Sequence, residues 1–253
     1  MPKIPISIQL YTLRDEAAKD FPAVLKMLSD TGYVGVEFAG LHGHSPKEIA
    51  GLLKELNLVG SSAHVGLPTP ENIAELADTH GTLGITRLVS GFGPDDFKTL
   101  DGVKESAGKF QAAASLCKEN GLTFGIHNHD WEFNRLEDGR LVYDVMLELA
   151  PDAFSELDVY WAEVGGSDPA GVVAKHSSRL PLLHIKDGPA VKGKNMTAVG
   201  SGKLNIPAII GAADPNVTKW LVVELDACDT DMVQAVKDSY TYLVGNGLSA
   251  GAK

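Results

Sequence analysis

Short apolar runs alternate with longer amphipathic stretches along almost the whole chain. The runs Ile6–Leu10, Gly35–Phe38, Val59–His64, Arg87–Ser90, Leu122–His127, Glu156–Tyr160, Leu180–Ile185 and Trp220–Leu225 are each a few residues long and rich in Val, Ile, Leu or Phe. Strands covered on both faces have this composition, because neither face meets water. Successive runs start about 30 residues apart on average, the length of one strand–helix repeat.

The intervening segments carry helix punctuation. Ser45-Pro46-Lys47-Glu48 reads as a capping box with proline in the first turn, followed by Ile49, Leu52, Leu53 and Leu56 on one face. Thr69-Pro70-Glu71 is expected to open a second helix, and Asp20-Phe21-Pro22 to open the one that stops at Gly32. Further helical patterns cover Gly102–Asn120, Tyr143–Ala150, Asp168–His176, Ile206–Ala213 and Asp231–Leu243. The Gly- and Ala-rich tail Gly245–Lys253 is expected to fray.

Eight strands, each followed by a helix, close most simply as a single (β/α)8 TIM barrel, and no linker or low-complexity stretch divides residues 1–253. A doubly wound open sheet would carry a glycine-rich phosphate turn after its first strand; here Tyr11-Thr12-Leu13-Arg14-Asp15 follows instead. The 253 residues suit one barrel, and 44% hydrophobic with 22% charged residues is an ordinary globular composition. With 22 Lys and Arg against 33 Asp and Glu, the net charge of −11 argues against a general nucleic-acid or anionic-membrane binder. No apolar run approaches the roughly 20 residues needed to span a bilayer. Met1-Pro2-Lys3-Ile4-Pro5 enters a strand-like segment at once, without room for a signal peptide, so a cytoplasmic location is expected. Cys117 and Cys228 lie far apart without zinc spacing and read as two free thiols in a reducing compartment.

Chemistry in such a barrel gathers at the carboxyl ends of the strands. Those ends hold Gln9 and Tyr11, Glu37, His64, then His127 through Glu132, Asp158 with Tyr160 and Trp161, His184 with Lys186 and Asp187, and Glu224 with Asp226. Strand 4 ends in Ser90 and Gly91, with nothing titratable. An unpaired carboxylate is costly to bury, yet Asp158, His184 and Glu224 sit inside apolar runs. Imidazoles and carboxylates without a neighbouring Cys suit one divalent ion of the Mn, Mg, Co or Zn kind. The bland alternative for each residue alone is a core histidine bonded to backbone or a carboxylate paired with Arg or Lys. His42 and His44, and Lys192 with Lys194, read as solvated loop residues. Tyr11, Trp131, Tyr160 and Trp161 have the character to stack on a sugar or to pack the core.

Several segments together resemble the xylose-isomerase-like barrels known as sugar phosphate isomerases/epimerases. They are Ser7-Ile8-Gln9-Leu10-Tyr11-Thr12-Leu13-Arg14-Asp15, Gly35-Val36-Glu37, Gly125-Ile126-His127-Asn128-His129-Asp130-Trp131-Glu132-Phe133, Leu157-Asp158-Val159-Tyr160-Trp161, Arg179 through Gly188, Val223-Glu224-Leu225-Asp226, and Val199-Gly200-Ser201-Gly202 before Ile206-Pro207. The resemblance implies one metal held by a Glu on strand 5, an Asp on strand 6, a His on strand 7 and a Glu on strand 8. Asp158, His184 and Glu224 match the last three. The strand-5 position departs: this chain has His127, with Glu132 five residues on as a carboxylate that folds back only against the in-strand geometry.

The expected function is therefore a metal-dependent isomerase or epimerase working through an enediolate on a ketose or related polyol. Glu224 is the ligand and base, Lys186 or His129 the proton donor, and Gln9, Tyr11, Glu37, His64, Trp161 and Asp226 the substrate contacts. The alternative is a lyase or hydratase acting on a 3-keto sugar or 3-keto-glycoside, which needs one base and fits the missing strand-5 Glu. An abasic-site nuclease, disfavoured by charge, and a metal-free sugar-binding barrel are the other classes considered. The expected partner is a small-molecule sugar, with neither nucleic acid nor membrane; a homo-oligomer is compatible with the sequence.

Overall fold

In the computed structural model, which describes residues 3–253, eight parallel strands pair in chain order and β8 closes on β1. The strands are β1 Ile6–Gln9, β2 Gly35–Phe38, β3 Val59–His64, β4 Arg87–Ser90, β5 Thr123–His127, β6 Phe154–Asp158, β7 Leu182–Ile185 and β8 Trp220–Val223. The helices are α1 Arg14–Thr31, α2 Pro46–Glu55, α3 Ile73–Thr82, α4 Leu100–Glu119, α5 Val142–Leu149, α6 Val159–Val164, α7 Pro169–His176, α8 Ile206–Gly211 and α9 Met232–Gly245. This is the TIM barrel fold that the run spacing predicts. Met1 and Pro2, the start of the supposed leaderless N-terminus, lie outside the described residues. Among the described residues no helix is long and apolar enough to cross a membrane.

Capping explains where the elements differ from the sequence pattern. Strand β6 begins at Phe154 and stops at Asp158, because the Asp158 carboxylate caps α6 and makes Val159 and Tyr160 helical rather than extended. Helix α1 starts at Arg14, earlier than expected; Asp20 breaks its regularity (φ −156°, ψ 88°) and accepts from the Ala23 N–H at 2.9 Å, recapping the stretch that Pro22 opens. Thr69–Asn72 forms a turn, and α3 begins only at Ile73. Ser45 and Glu48 complete the expected capping box of α2.

The tail does not fray. Ala250 donates to the Ile4 carbonyl and accepts from the Ile6 N–H, both at 2.9 Å, and the buried Ser249 hydroxyl donates to Ile4 at 2.7 Å. Ala252 donates to the carbonyl of Gly32, whose left-handed φ of 114° ends α1 and leaves no room for a side chain beside Tyr240.

The main core lies between strands and helices. A smaller apolar cluster fills the barrel interior, where Val89, Leu182 and Val222 pack with Phe154 and Trp220. Two glycines make room for its aromatic rings: a Cβ at Gly35 would meet Trp220, and one at Gly125 would meet Phe154. Directly along the same strands, two residues toward the carboxyl end, the inward positions turn polar.

Candidate metal centre at the barrel mouth

Strand register brings the polar side chains into adjacent pairs. Gln9 lies beside Glu37, His127 beside Glu156, and Asp158 beside His184. Lys186 and Glu224 follow immediately after β7 and β8. Donor atoms of His127, Asp158, His184 and Glu224 all lie within 4.8 Å of one another, and all four residues are buried. Two imidazoles and two carboxylates at that separation form a donor set that fits a divalent ion.

Each donor is aimed by its neighbours. Asp158 Oδ1 accepts the N–H groups of Tyr160 (3.0 Å) and Trp161 (2.9 Å), which leaves Oδ2 facing the site. Among the described residues that oxygen has no hydrogen bond of good geometry, and the Lys186 ammonium lies 2.9 Å from it. Glu224 Oε2 meets His184 Nδ1 at 2.7 Å and Lys186 Nζ at 2.8 Å. Asn128 clasps the end of β6, accepting from the Asp158 N–H at 2.9 Å and donating to its carbonyl at 3.2 Å.

Glu156, which opens its apolar run instead of ending it, also belongs to the site. It lies two positions before Asp158, so both project inward, and its Oε2 gathers three imidazoles: His64 Nε2 at 2.6 Å, His184 Nε2 at 3.1 Å and His127 Nδ1 at 3.2 Å. His64, His127, Glu156 and His184 thus form a second group able to hold a metal, sharing two histidines with the first. The signal was present in the period of two, but Glu156 was hidden at the edge of its run.

The charges explain the protonation states. Burial pushes Glu37 upward, helped by the Glu156 charge. Burial alone would lower His184, but Glu156, Glu37 and Glu224 outweigh it and hold the ring well above its ordinary value. Burial likewise works against the Lys186 ammonium, yet Asp158, Glu224 and Asp226 keep it protonated. Glu224 is held ionised, well below the carboxylate range, because Lys186 and His184 overcome its burial. Burial raises Asp158 to about 6 despite Lys186 and His184. His129 falls to about 4 through burial and the nearby Lys186 charge, so its ring is neutral at pH 7.

Not every expected substrate contact faces the mouth. Gln9 donates to Glu37 Oε1 at 2.6 Å and accepts the Tyr11 N–H, while Glu37 also bonds His184 at 2.7 Å and the Ser62 hydroxyl. Both are fully buried beneath the histidines. His64, Trp161 and Asp226 line the opening, and Tyr11 stands at the rim, 47% exposed, with Arg14 stacked 4.4 Å from its ring. Trp131 stacks on His129 at 4.2 Å. Glu132 does not fold back into either group: it accepts the His129 N–H at 2.8 Å, and burial pushes it up to about 8. His42 is exposed on its loop, and Lys192 pairs with Asp130 at 2.6 Å. Asp187 accepts the N–H groups of Gly188, Gly200, Gly202 and Leu204, so the glycine-rich segment already encloses an internal anion.

Comparisons with known proteins agree with this architecture. Residues 25–243 match the profile of the xylose isomerase-like TIM barrel family. Two solved structures of sugar phosphate isomerases/epimerases from Parabacteroides distasonis ATCC 8503 are similar over nearly the whole chain. One is 26% identical with a TM-score of 0.83, covering 99% of this chain and 96% of its own. The other is 28% identical with a TM-score of 0.81, covering 98% and 100%. An L-ribulose 3-epimerase shares the fold at 16% identity and a TM-score of 0.71, covering 98% of this chain and 95% of its own. No curated protein matches.

Proposed function

The chain belongs to the xylose isomerase-like TIM barrel family, and from that premise we propose that it is a divalent-metal-dependent isomerase or epimerase of a ketose or related polyol. The observation that carries this reading is the convergence of His127, Asp158, His184 and Glu224 on one 4.8 Å locus beside a protonated Lys186. A Mn, Mg, Co or Zn ion would be held by His127, Asp158, His184 and Glu224 and would supply Lewis acidity that makes a carbon-bound proton of the substrate easier to remove.

The protein's own groups do the rest. Glu224 is ionised and accepts the carbon-bound proton. Lys186, whose ammonium lies 2.8 Å from Glu224 Oε2, supplies a proton to the enediolate. His129, a neutral imidazole, passes a proton or orients a hydroxyl rather than acting as a strong acid. His64 and Asp226 hold substrate hydroxyls, Tyr11 and Trp161 cover the sugar's apolar face, and Gln9 and Glu37 fix His184 from below. The substrate needs no phosphate in this reading, since the backbone cradle of the glycine-rich segment is filled by Asp187.

One observation favours a second reading. His127 stands where a second carboxylate would make a symmetric pair of bases, and its ring is held well below its ordinary value by burial. A single base with an acid suits a lyase or hydratase acting on a 3-keto sugar or 3-keto-glycoside. The test is incubation of the Mn²⁺-loaded protein in D₂O with panels of ketoses and 3-keto-glycosides. Exchange of one carbon-bound proton with an epimeric or isomeric product supports the first reading; an unsaturated or cleaved product supports the second. Absence of exchange and turnover across both panels counts against the enolate chemistry altogether.

A further inference from the structure

Lys186 stands in the middle of a cage of carboxylates. Its Nζ lies 2.9 Å from Asp158 Oδ2, 2.8 Å from Glu224 Oε2 and 2.9 Å from Asp226 Oδ2, and the side chain is 1% exposed. The first two oxygens belong to the side chains assigned above as metal ligands, and a divalent ion competes with the ammonium for them. The third is different. Asp226 is a third exposed at its side chain, and among the described residues its carboxylate has no hydrogen-bond partner besides Lys186. Its backbone is fixed independently, by Arg14 donating to its carbonyl at 2.9 Å.

We propose that Lys186 is a resident cation of this cage, and that a divalent ion enters by displacing its ammonium from Asp158 and Glu224 while Asp226 retains it. This rests on the metal-dependent reading above and adds a competitor that sets the ion's affinity. The physical reason is that buried carboxylates require a compensating charge. Lys186 supplies it to Asp158 Oδ2, and shares Glu224 Oε2 with His184, and a metal ion competes with the ammonium for the same two oxygens. Asp226, wetter than the others, is the counter-ion that keeps Lys186 beside the site once the cage is taken.

Mn²⁺ affinity measured by calorimetry on four full-length proteins tests this: wild type, Lys186→Met, Asp226→Asn and the double variant. Removing the competitor should tighten Mn²⁺ binding about tenfold or more, as expected from the loss of a unit charge a few ångströms away. Removing the retreat should weaken binding about threefold or more, and this effect should shrink below about twofold when Lys186 is already Met, because Asp226 acts through the lysine. Without Mn²⁺, Lys186→Met should melt well below the wild type, and Mn²⁺ should raise its melting temperature by more than it raises that of the wild type. A variant that folds only in the presence of Mn²⁺ supports the proposal. If it folds under neither condition, Asp226→Asn decides, and unchanged or tighter Mn²⁺ binding there overturns it.

The outcomes separate this inference from the function it rests on. If the wild type binds Mn²⁺ and Lys186→Met binds no tighter, the competitor role falls and the metal-dependent reading stands. If only Lys186→Met binds, the lysine's role stands and metal dependence of the native protein falls. If neither binds, both fall.

Discussion

The interior of the barrel holds two regions built on the same strands with the same two-residue period. Toward the amino ends lie Phe154, Leu182, Trp220, Val222 and Val89, a dry floor packed against Gly35 and Gly125. Two or four residues further along, those rows read Glu156 and Asp158 on β6, His184 on β7 and Glu224 after β8. The floor is held by removal of apolar surface from water, which needs no partner of particular charge. The roof is held by pairing, and each of its charges is tolerable only because another lies within about 3 Å. The same scaffold therefore separates stability from chemistry along the barrel axis, and substitutions in the two regions should fail in different ways.

The largest effect expected is at the roof. Glu224→Gln should keep the fold, since the amide is nearly isosteric, yet lower turnover by about 10²–10⁴, the usual size of a general-base contribution. Solvent deuterium exchange into substrate should vanish with it at saturating Mn²⁺; exchange near the wild-type rate would move the base to another residue. Asp158→Asn should instead regain activity at high Mn²⁺, because mass action compensates a weakened ligand and not a missing base.

A floor substitution should show the converse. Leu182→Ala removes a fully buried side chain from the interior cluster and should cost about 2–5 kcal/mol in urea unfolding. Mn²⁺ affinity of the folded fraction should not change. A Leu182→Ala protein of normal stability but weakened ion binding would break the division between the two regions.

Glu132 sharpens the comparison, being a roof-side carboxylate buried without a cationic partner among the described residues. Burial raises it to about 8 in the folded protein, against 4.5 as the ordinary value, so the folded state binds the extra proton across that window. Stability should fall as pH rises from about 4.5 to about 8, by at most about 1.4 kcal/mol per pH unit from this group. Glu132→Gln should therefore gain on the wild type by about 1–3 kcal/mol between pH 5 and pH 8 in denaturant titrations. An equal difference at both pH values would show that Glu132 is ionised throughout.

The smallest effect concerns the thiols. Burial pushes Cys117 up to about 11, whereas Cys228 is partly exposed. A thiol reagent at pH 8 should titrate Cys228 promptly and Cys117 only after denaturation.

Much of this was legible before any coordinates, for a definite reason. Buried parallel strands must be short and apolar, so a titratable residue at the end of such a run is conspicuous, and His127, Asp158, His184 and Glu224 stood out in that way. Glu156 did not, because it opens a run where a polar residue looks like a boundary; only the in-register pairing with His127 reveals its inward side chain. Lys186 is visible as a residue, but the meeting of its ammonium with three carboxylates from two other segments is a tertiary fact. The order of the tail is invisible in its glycines and alanines, which carry no apolar signal, because it comes from backbone bonds to Ile4, Ile6 and Gly32. Gln9 and Glu37 read as mouth residues and turn out to hold each other below the histidines.

The central claim is that one divalent ion sits among His127, Asp158, His184 and Glu224, and electron spin-echo spectroscopy of a Mn²⁺ titration addresses it directly. The account predicts a single tight Mn²⁺ per chain with nitrogen couplings from two imidazoles, and loss of that signal at the same concentration in Asp158→Asn. Absence of bound Mn²⁺ at millimolar concentration, or an unchanged spectrum in both Asp158→Asn and Glu224→Gln, would contradict it.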